Sequence, residues 1–133
     1  MIGLAWVLMA CAASVAAASD QPVSLTGSPG DPVRGRSLVA NRQLGLCLLC
    51  HSGPFPEVQF QGNLGPDLGS AARLGEGQIR QRIMDSRRIN PASIMPAYFE
   101  TSGLERVAPA FRGKTVLSAE QVEDIVAYLL TLR

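Results

Sequence analysis

The sequence predicts an all-α fold, a small and loop-rich domain built from a few helices. Its 133 residues are enough for one domain but hardly for two. Two stretches carry apolar residues at helical spacing, and no stretch shows the apolar–polar alternation of a half-buried strand. The chain has 13 glycines and 9 prolines but only 5% aromatic residues, which predicts long loops around a thin core. A large apolar cofactor would help to fill such a core.

The first predicted helix lies just before the sequence CLLCH, residues 47–51. Asp31 followed by Pro32 is typical of a helix N-cap with proline at the first helical position. A helix over 31–43 would end near Gly45 and place CLLCH directly beyond its end.

Two further helices are predicted, separated by loops. Residues 76–89 carry apolar side chains along one side of a helix. Ser118 and Gln121 have the spacing of a capping box, which predicts the start of a last helix with one apolar face. Residues 53–75 and 90–116 contain many glycines and prolines and are predicted to be loops. The apolar positions are Ile79, Ile83 and Met84 in the middle helix, and Val122, Ile125, Val126, Leu129 and Leu132 in the last.

The N-terminal segment predicts export to the periplasm. Residues 1–18 carry no charged side chain and end in three alanines, so we interpret them as a secretory signal peptide cleaved after Ala18. No Lys or Arg precedes the apolar run, which departs from the usual signal. The alternatives are a membrane-spanning anchor, or lipidation at Cys11. Cleavage would leave a flexible polar lead-in over 19–30 and a domain over 31–133 that is not inserted in a membrane.

Cys47 and Cys50 are spaced by two residues and His51 follows directly, which permits three interpretations. A redox dithiol usually opens a helix after a strand, and no strand is predicted before this motif. A structural zinc site needs four ligands, and cleavage would leave no other Cys or His in the chain. C-x-x-C-H is the attachment signature of haem c, which is formed outside the cytoplasm. The motif therefore predicts one covalently bound haem c, with the histidine on the iron.

A haem site of this kind needs a group that fixes the ring of the histidine and a second axial ligand for the iron. An acceptor should fix the ring of His51, and the carbonyl of Pro66, on a stiff Gly-Pro turn, is a candidate; an ordinary surface turn is the alternative. For the second axial ligand, the chain offers Met95, Met84 and Lys114. Met95 is preferred because it lies in a loop between two prolines, whereas Met84 falls on the apolar side of a helix, where methionine usually fills the core.

Charge gives little indication of function. The formal net charge of +1 does not suggest nucleic-acid binding or a charged tail. Four arginines, Arg80, Arg82, Arg87 and Arg88, are expected on a solvated helix face, the usual explanation of a charge run. Pairing of one or two of them with haem propionates or with an acidic partner is the alternative.

Three stretches together resemble a known family. They are GPFPEVQFQGNLGPDLG after the haem motif, RINPASIMPAYFE, and the ending GKTVLSAEQVEDIVAYLLTL. They are similar to class I cytochromes c and, more narrowly, to the monohaem subunit of the sulfur-oxidation cytochrome complex, SoxAX. The similarity runs from about Asp31 to the C-terminus. C-x-x-C-H alone is shared by every haem c protein, whereas the combination of the IMPAY loop with this ending is far more specific.

The resemblance implies a class I cytochrome c fold, with loops wrapped around the haem. It implies that Met95 is the distal ligand and that the Pro66 carbonyl holds His51. It also implies a close contact between the first and last helices at Gly35 and Tyr128.

The resemblance further implies a heterodimer with a SoxA-type cytochrome subunit. That complex has L-cysteine S-thiosulfotransferase activity: it oxidatively joins thiosulfate to a cysteine of the carrier pair SoxYZ and passes electrons to an acceptor cytochrome. Because the mature chain would have no free thiol and no spare histidine, we expect sulfur chemistry on another subunit and only electron transfer here. The alternatives are a free-standing shuttle cytochrome and a metal-binding module without haem.

Overall fold

The structure is a computed structural model that describes residues 23–133. The predicted signal peptide, residues 1–18, and the first part of the predicted lead-in lie outside the described residues. Residues 23–133 form three α-helices and four short 3₁₀ segments, with no strand among them. No helix in this range is long and apolar enough to cross a membrane. The predicted all-α fold class is confirmed.

Three α-helices form the framework: α1 (Pro32–Ala40), α2 (Glu76–Asp85) and α3 (Ala119–Leu129). All three lie where the sequence predicts a helix, and all are shorter than expected, since α3 ends before Leu132. α1 ends early because the backbone of Asn41 is extended. α2 is followed directly by a 3₁₀ turn, Ser86–Arg88, so the chain continues to turn but with tighter geometry.

The predicted caps of α1 and α3 are present. The Asp31 carboxylate accepts hydrogen bonds from the backbone N–H groups of Val33 at 2.8 Å and Arg34 at 3.1 Å. At α3, the Ser118 hydroxyl accepts from the Gln121 N–H at 3.2 Å, and the Gln121 side chain accepts from the Ser118 N–H at 2.9 Å. Both helices therefore begin where local sequence signals place them.

Two 3₁₀ segments, Leu68–Leu74 and Pro109–Phe111, lie in stretches predicted as loops. The first starts at Asp67, whose side chain accepts from the Gly69 N–H. Such short turns need only a local cap and no apolar periodicity, so the glycine-rich pattern of 53–75 did not indicate this one.

α1 and α3 cross in close contact at Gly35. A Cβ atom at this position would overlap the Asp124 carbonyl and lie 2.9 Å from the Cβ of Tyr128. Only glycine lets the two backbones approach this closely. The contact between Gly35 and Tyr128 that the family resemblance implies is confirmed.

The core lies between the three helices and the CLLCH segment. Leu48, in the middle of CLLCH, is buried, so the motif itself is part of the core. The Phe55 ring meets the Tyr128 ring edge-on, with 5.7 Å between the centroids. The buried apolar residues are Val39, Leu48, Phe55, Ile79, Ile83, Tyr98, Leu117, Val122, Ile125, Val126, Tyr128 and Leu129.

The expectation of a solvated arginine face is wrong for Arg80. Its guanidinium donates to both carboxylate oxygens of Glu123, at 2.8 and 2.9 Å, and the two side chains are only 3% and 4% exposed. The Leu25 N–H also donates to Glu123, so this part of the predicted lead-in contacts α3. The other three arginines bond within the chain: Arg82 to Gln78, Arg87 to Asp85 and Arg88 to Glu100.

Candidate functional site

The CLLCH segment forms one tight turn shortly after α1. Leu46 enters it with a left-handed backbone, φ 59°, and Cys47–Leu49 is a 3₁₀ helix. The backbone N–H groups of Cys50 and His51 both donate to the Cys47 carbonyl, at 3.1 and 2.9 Å. The turn therefore presents two thiols and one imidazole from a single short segment.

The Cys47 thiol does not resemble the reactive thiol of a redox dithiol. Neither cysteine is in a disulfide. Burial raises the pKa of the Cys47 thiol to about 11, and its sulfur lies 3.3 Å from the Gly45 carbonyl. A reactive C-x-x-C cysteine has a lowered pKa, because the thiolate is the nucleophile. The burial of Cys47 therefore does not favour thiol–disulfide exchange at this position.

The imidazole of His51 is held by the backbone of the following loop. Its Nδ1 lies 2.6 Å from the carbonyl oxygen of Pro66, the contact expected from the sequence. A proton on Nδ1 donates to this carbonyl and leaves the lone pair of Nε2 for a metal. Gly65 makes this possible, since a Cβ there would overlap the ring and lie 2.5 Å from Nδ1.

The loop that carries Pro66 is fastened to the CLLCH turn by backbone hydrogen bonds. Three of its N–H groups donate to carbonyls of the turn and its exit: Gly62 to Leu48 at 2.9 Å, Gly65 to Cys50 at 2.8 Å and Leu68 to Ser52 at 2.8 Å. These bonds set the position of the Pro66 carbonyl relative to the imidazole.

Three further side chains, Ser52, Asp67 and Gln61, make hydrogen bonds within the CLLCH turn and the loop that follows it. The Ser52 hydroxyl donates to Asp67 at 2.6 Å, and the Gly69 N–H donates to the other oxygen of Asp67 at 2.7 Å. These two bonds hold the pKa of Asp67 below its ordinary value. Gln61 accepts from the Gly53 N–H at 2.7 Å. Aspartate in a G-P-D-L-G turn is a recognisable signal, whereas nothing in the sequence marks Ser52 or Gln61.

The two methionines considered as ligands, Met84 and Met95, are partly buried and pack against the same core as Cys47. Met84 lies on α2, whereas Met95 lies in the loop between α2 and α3. The Ser93 hydroxyl accepts from the Met95 N–H at 3.3 Å and lies 2.6 Å from the Ser86 hydroxyl, which ties this loop to the end of α2. Lys114, the third candidate, is exposed.

These residues fit a covalently bound haem. Two thiols and an imidazole with one nitrogen fixed are the donors that haem c requires. The Tyr98 side chain lies in the same core and is 5% exposed. Burial, together with nearby Cys47 and Cys50, raises the pKa of its hydroxyl. Within 23–133 no three His, Cys, Asp or Glu side chains cluster as around a bare metal ion.

The helical framework and this turn are those of a small cytochrome c fold, and comparison with known proteins narrows the class. No protein-family model and no curated protein matches the chain. Among solved structures it is similar to a chain of the crystal structure of SoxXA from P. pantotrophus. The two are 35% identical with a TM-score of 0.76, over 84% of this chain and 88% of that chain. The chain belongs to the family of SoxX-type cytochrome subunits.

Proposed function

We propose that this chain is the periplasmic electron-transfer subunit of a SoxAX-type complex, with one covalently bound haem c. The observation that carries the proposal is the CLLCH turn, with His51 held by the Pro66 carbonyl, in a chain 35% identical to SoxXA. The fold is that of the family, and the donors of the site are those that haem c requires.

Each site residue then has a role toward the haem. Cys47 and Cys50 would hold it covalently, while His51 through Nε2 and Met95 would bind its iron. Pro66 fixes the orientation of the imidazole. When bound, the haem supplies a one-electron redox centre, and His/Met ligation favours its reduced state relative to ligation by two histidines. Met95 is supported by its position in a loop that is tied to the end of α2 and packs on the same core as Cys47.

The remaining residues are suited to electron transfer and not to bond formation at sulfur. Beyond CLLCH, residues 23–133 contain no cysteine and no histidine that could act as nucleophile or base. Joining thiosulfate to a thiol forms a sulfur–sulfur bond and releases two electrons and one proton. We assign that step to a SoxA-type partner subunit acting on a cysteine of SoxYZ. The electrons would leave one at a time through this chain to an acceptor cytochrome.

An exposed apolar surface beside the CLLCH turn favours a permanent subunit over a free-standing shuttle. We define this apolar surface as Leu49, Phe60 and Leu64, which are 48%, 77% and 71% exposed. The segments that carry them are in contact, since the Gly62 N–H donates to the Leu48 carbonyl. Large exposed apolar side chains on two segments in contact are typical of a protein interface.

Co-purification from the native periplasm tests the proposal. A tagged form of this chain should be recovered with a second cytochrome, and its visible spectrum should be that of a c-type haem. After denaturation in acid and extraction with organic solvent, the haem should stay with the protein. Recovery of the haem-loaded chain alone would indicate a shuttle, and haem that leaves with the solvent would contradict covalent attachment.

A further inference from the structure

One hydrogen bond between two side chains lies directly beside the contact that orients the axial histidine. Ser52 follows His51 in the chain, and Asp67 follows Pro66. The Ser52 hydroxyl donates to Asp67 at 2.6 Å, next to the contact of 2.6 Å between the His51 Nδ1 and the Pro66 carbonyl. Two consecutive residues of one segment thus bond two consecutive residues of the other.

Ser52 and Asp67 each accept one further hydrogen bond, from a backbone N–H group of the loop. The Ser52 carbonyl accepts from the Leu68 N–H at 2.8 Å. The second oxygen of Asp67 accepts from the Gly69 N–H at 2.7 Å. An O–H donor at 2.6 Å from a carboxylate is a strong, charge-assisted bond, so the two segments are held in one register at this point.

We propose that Ser52 and Asp67 are positioning residues for His51, and that their hydrogen bond tunes the reduction potential of the haem. The inference rests on the proposed ligation of the iron by His51. By fixing the residue after Pro66, the bond keeps the Pro66 carbonyl at its short distance from Nδ1. An imidazole that donates a strong hydrogen bond is a more basic ligand, which stabilises ferric iron. Loss of the Ser52–Asp67 bond should therefore shift the potential to a more positive value.

The test compares haem-loaded variants by potentiometric titration and by electron paramagnetic resonance of the ferric protein. Ser52→Ala should give a more positive midpoint potential and changed g-values, and Ser52→Thr, which keeps the hydroxyl, should restore both. Asp67→Ala should shift the potential in the same direction. Because the two residues share one bond, the double variant should shift no further than Asp67→Ala alone.

Ser118→Ala is the matched control, because it removes a hydroxyl that caps α3, away from the CLLCH turn. It should lower the melting temperature and leave the potential unchanged. A haem-loaded Ser52→Ala protein with wild-type potential and g-values would overturn the inference, as would an equal shift in Ser118→Ala. If Ser52→Ala takes up no haem, Asp67→Ala, which also removes the bond, is measured by the same two criteria. A wild-type protein without c-type haem would overturn the proposed function itself, which distinguishes the two failures.

Discussion

At the scale of single residues, His51 is oriented by backbone groups that cannot titrate. The Pro66 carbonyl accepts from its ring, and the missing side chain of Gly65 leaves the space that the ring fills. A carboxylate in the same place would change charge with pH and would alter the imidazole with it. A carbonyl on a proline, whose φ is restricted, carries no charge that changes with pH.

Replacement of Met95 tests the second axial ligand. Met95→Leu removes the soft thioether that favours ferrous iron, so the potential should fall by on the order of 0.1 V, within the roughly 0.8 V range that axial ligands span. Any sulfur-to-iron charge-transfer band of the ferric protein should also disappear. Met84→Leu is the matched control, since Met84 packs on the same core from α2 and should change neither property. The reverse pattern would assign the ligand to Met84.

The cysteines and the histidine can be predicted from sequence because their spacing is fixed by covalent chemistry. Pro66 could be proposed because a Gly-Pro turn is a local signal. Ser52 could not, because its partner Asp67 is 15 residues away and is brought near only by the path of the loop. Sequence spacing therefore identifies the candidate donors, whereas the contact between Ser52 and Asp67 depends on the fold.

At the scale of helices, two adjacent acidic residues of α3 connect it to the other elements. Glu123 binds Arg80 of α2 and the Leu25 N–H. Asp124 accepts from the side chain of Arg34 in α1 at 2.7 and 2.9 Å. The start of α3 was predictable from its capping box, which is local. The burial of these two carboxylates was not predictable, because acidic residues in the first turns of a helix interact favourably with the helix dipole whether they are buried or exposed.

Glu123→Gln tests the buried ion pair. It removes the buried countercharge of Arg80 and leaves it only the more exposed carboxylate of Glu76, which should lower the free energy of unfolding by on the order of 2 kcal/mol at neutral pH. Although burial alone would favour the protonated acid, the hydrogen bonds from Arg80 and Leu25 hold the pKa of Glu123 below its ordinary value. Its contribution is therefore complete above about pH 4.3, the unfolded pKa, and is lost as pH falls through the folded pKa.

Denaturant unfolding at several pH values measures this effect. The wild-type protein should lose stability below about pH 4.3, and Glu123→Gln should lack that part of the pH dependence. Glu57→Gln is the control, because the Glu57–Arg36 pair is exposed to solvent and should contribute much less to stability. Equal losses in the two variants would show that burial does not strengthen the pair.

At the scale of the whole molecule, the apolar surface of Leu49, Phe60 and Leu64 should be the contact with the partner cytochrome. Phe60→Ser should weaken the complex about tenfold or more, since burial of an aromatic side chain contributes on the order of 1.4 kcal/mol to binding. Analytical gel filtration and titration calorimetry with the partner measure the change. Val33→Ser is the control, because Val33 is 74% exposed but lies on α1. If Val33→Ser weakened binding and Phe60→Ser did not, the interface would lie elsewhere.

The final prediction concerns the division of chemistry between the two subunits. With Cys47 and Cys50 bound to haem and His51 on iron, residues 23–133 retain no thiol or imidazole to form a bond to sulfur. The isolated haem-loaded chain should take up and release one electron, but it should not couple thiosulfate to a carrier cysteine. Mass spectrometry of the carrier, with thiosulfate and an electron acceptor present, should show coupling only after the partner cytochrome is added. Steady coupling by this chain alone, or a normal rate from the partner without it, would contradict the assignment.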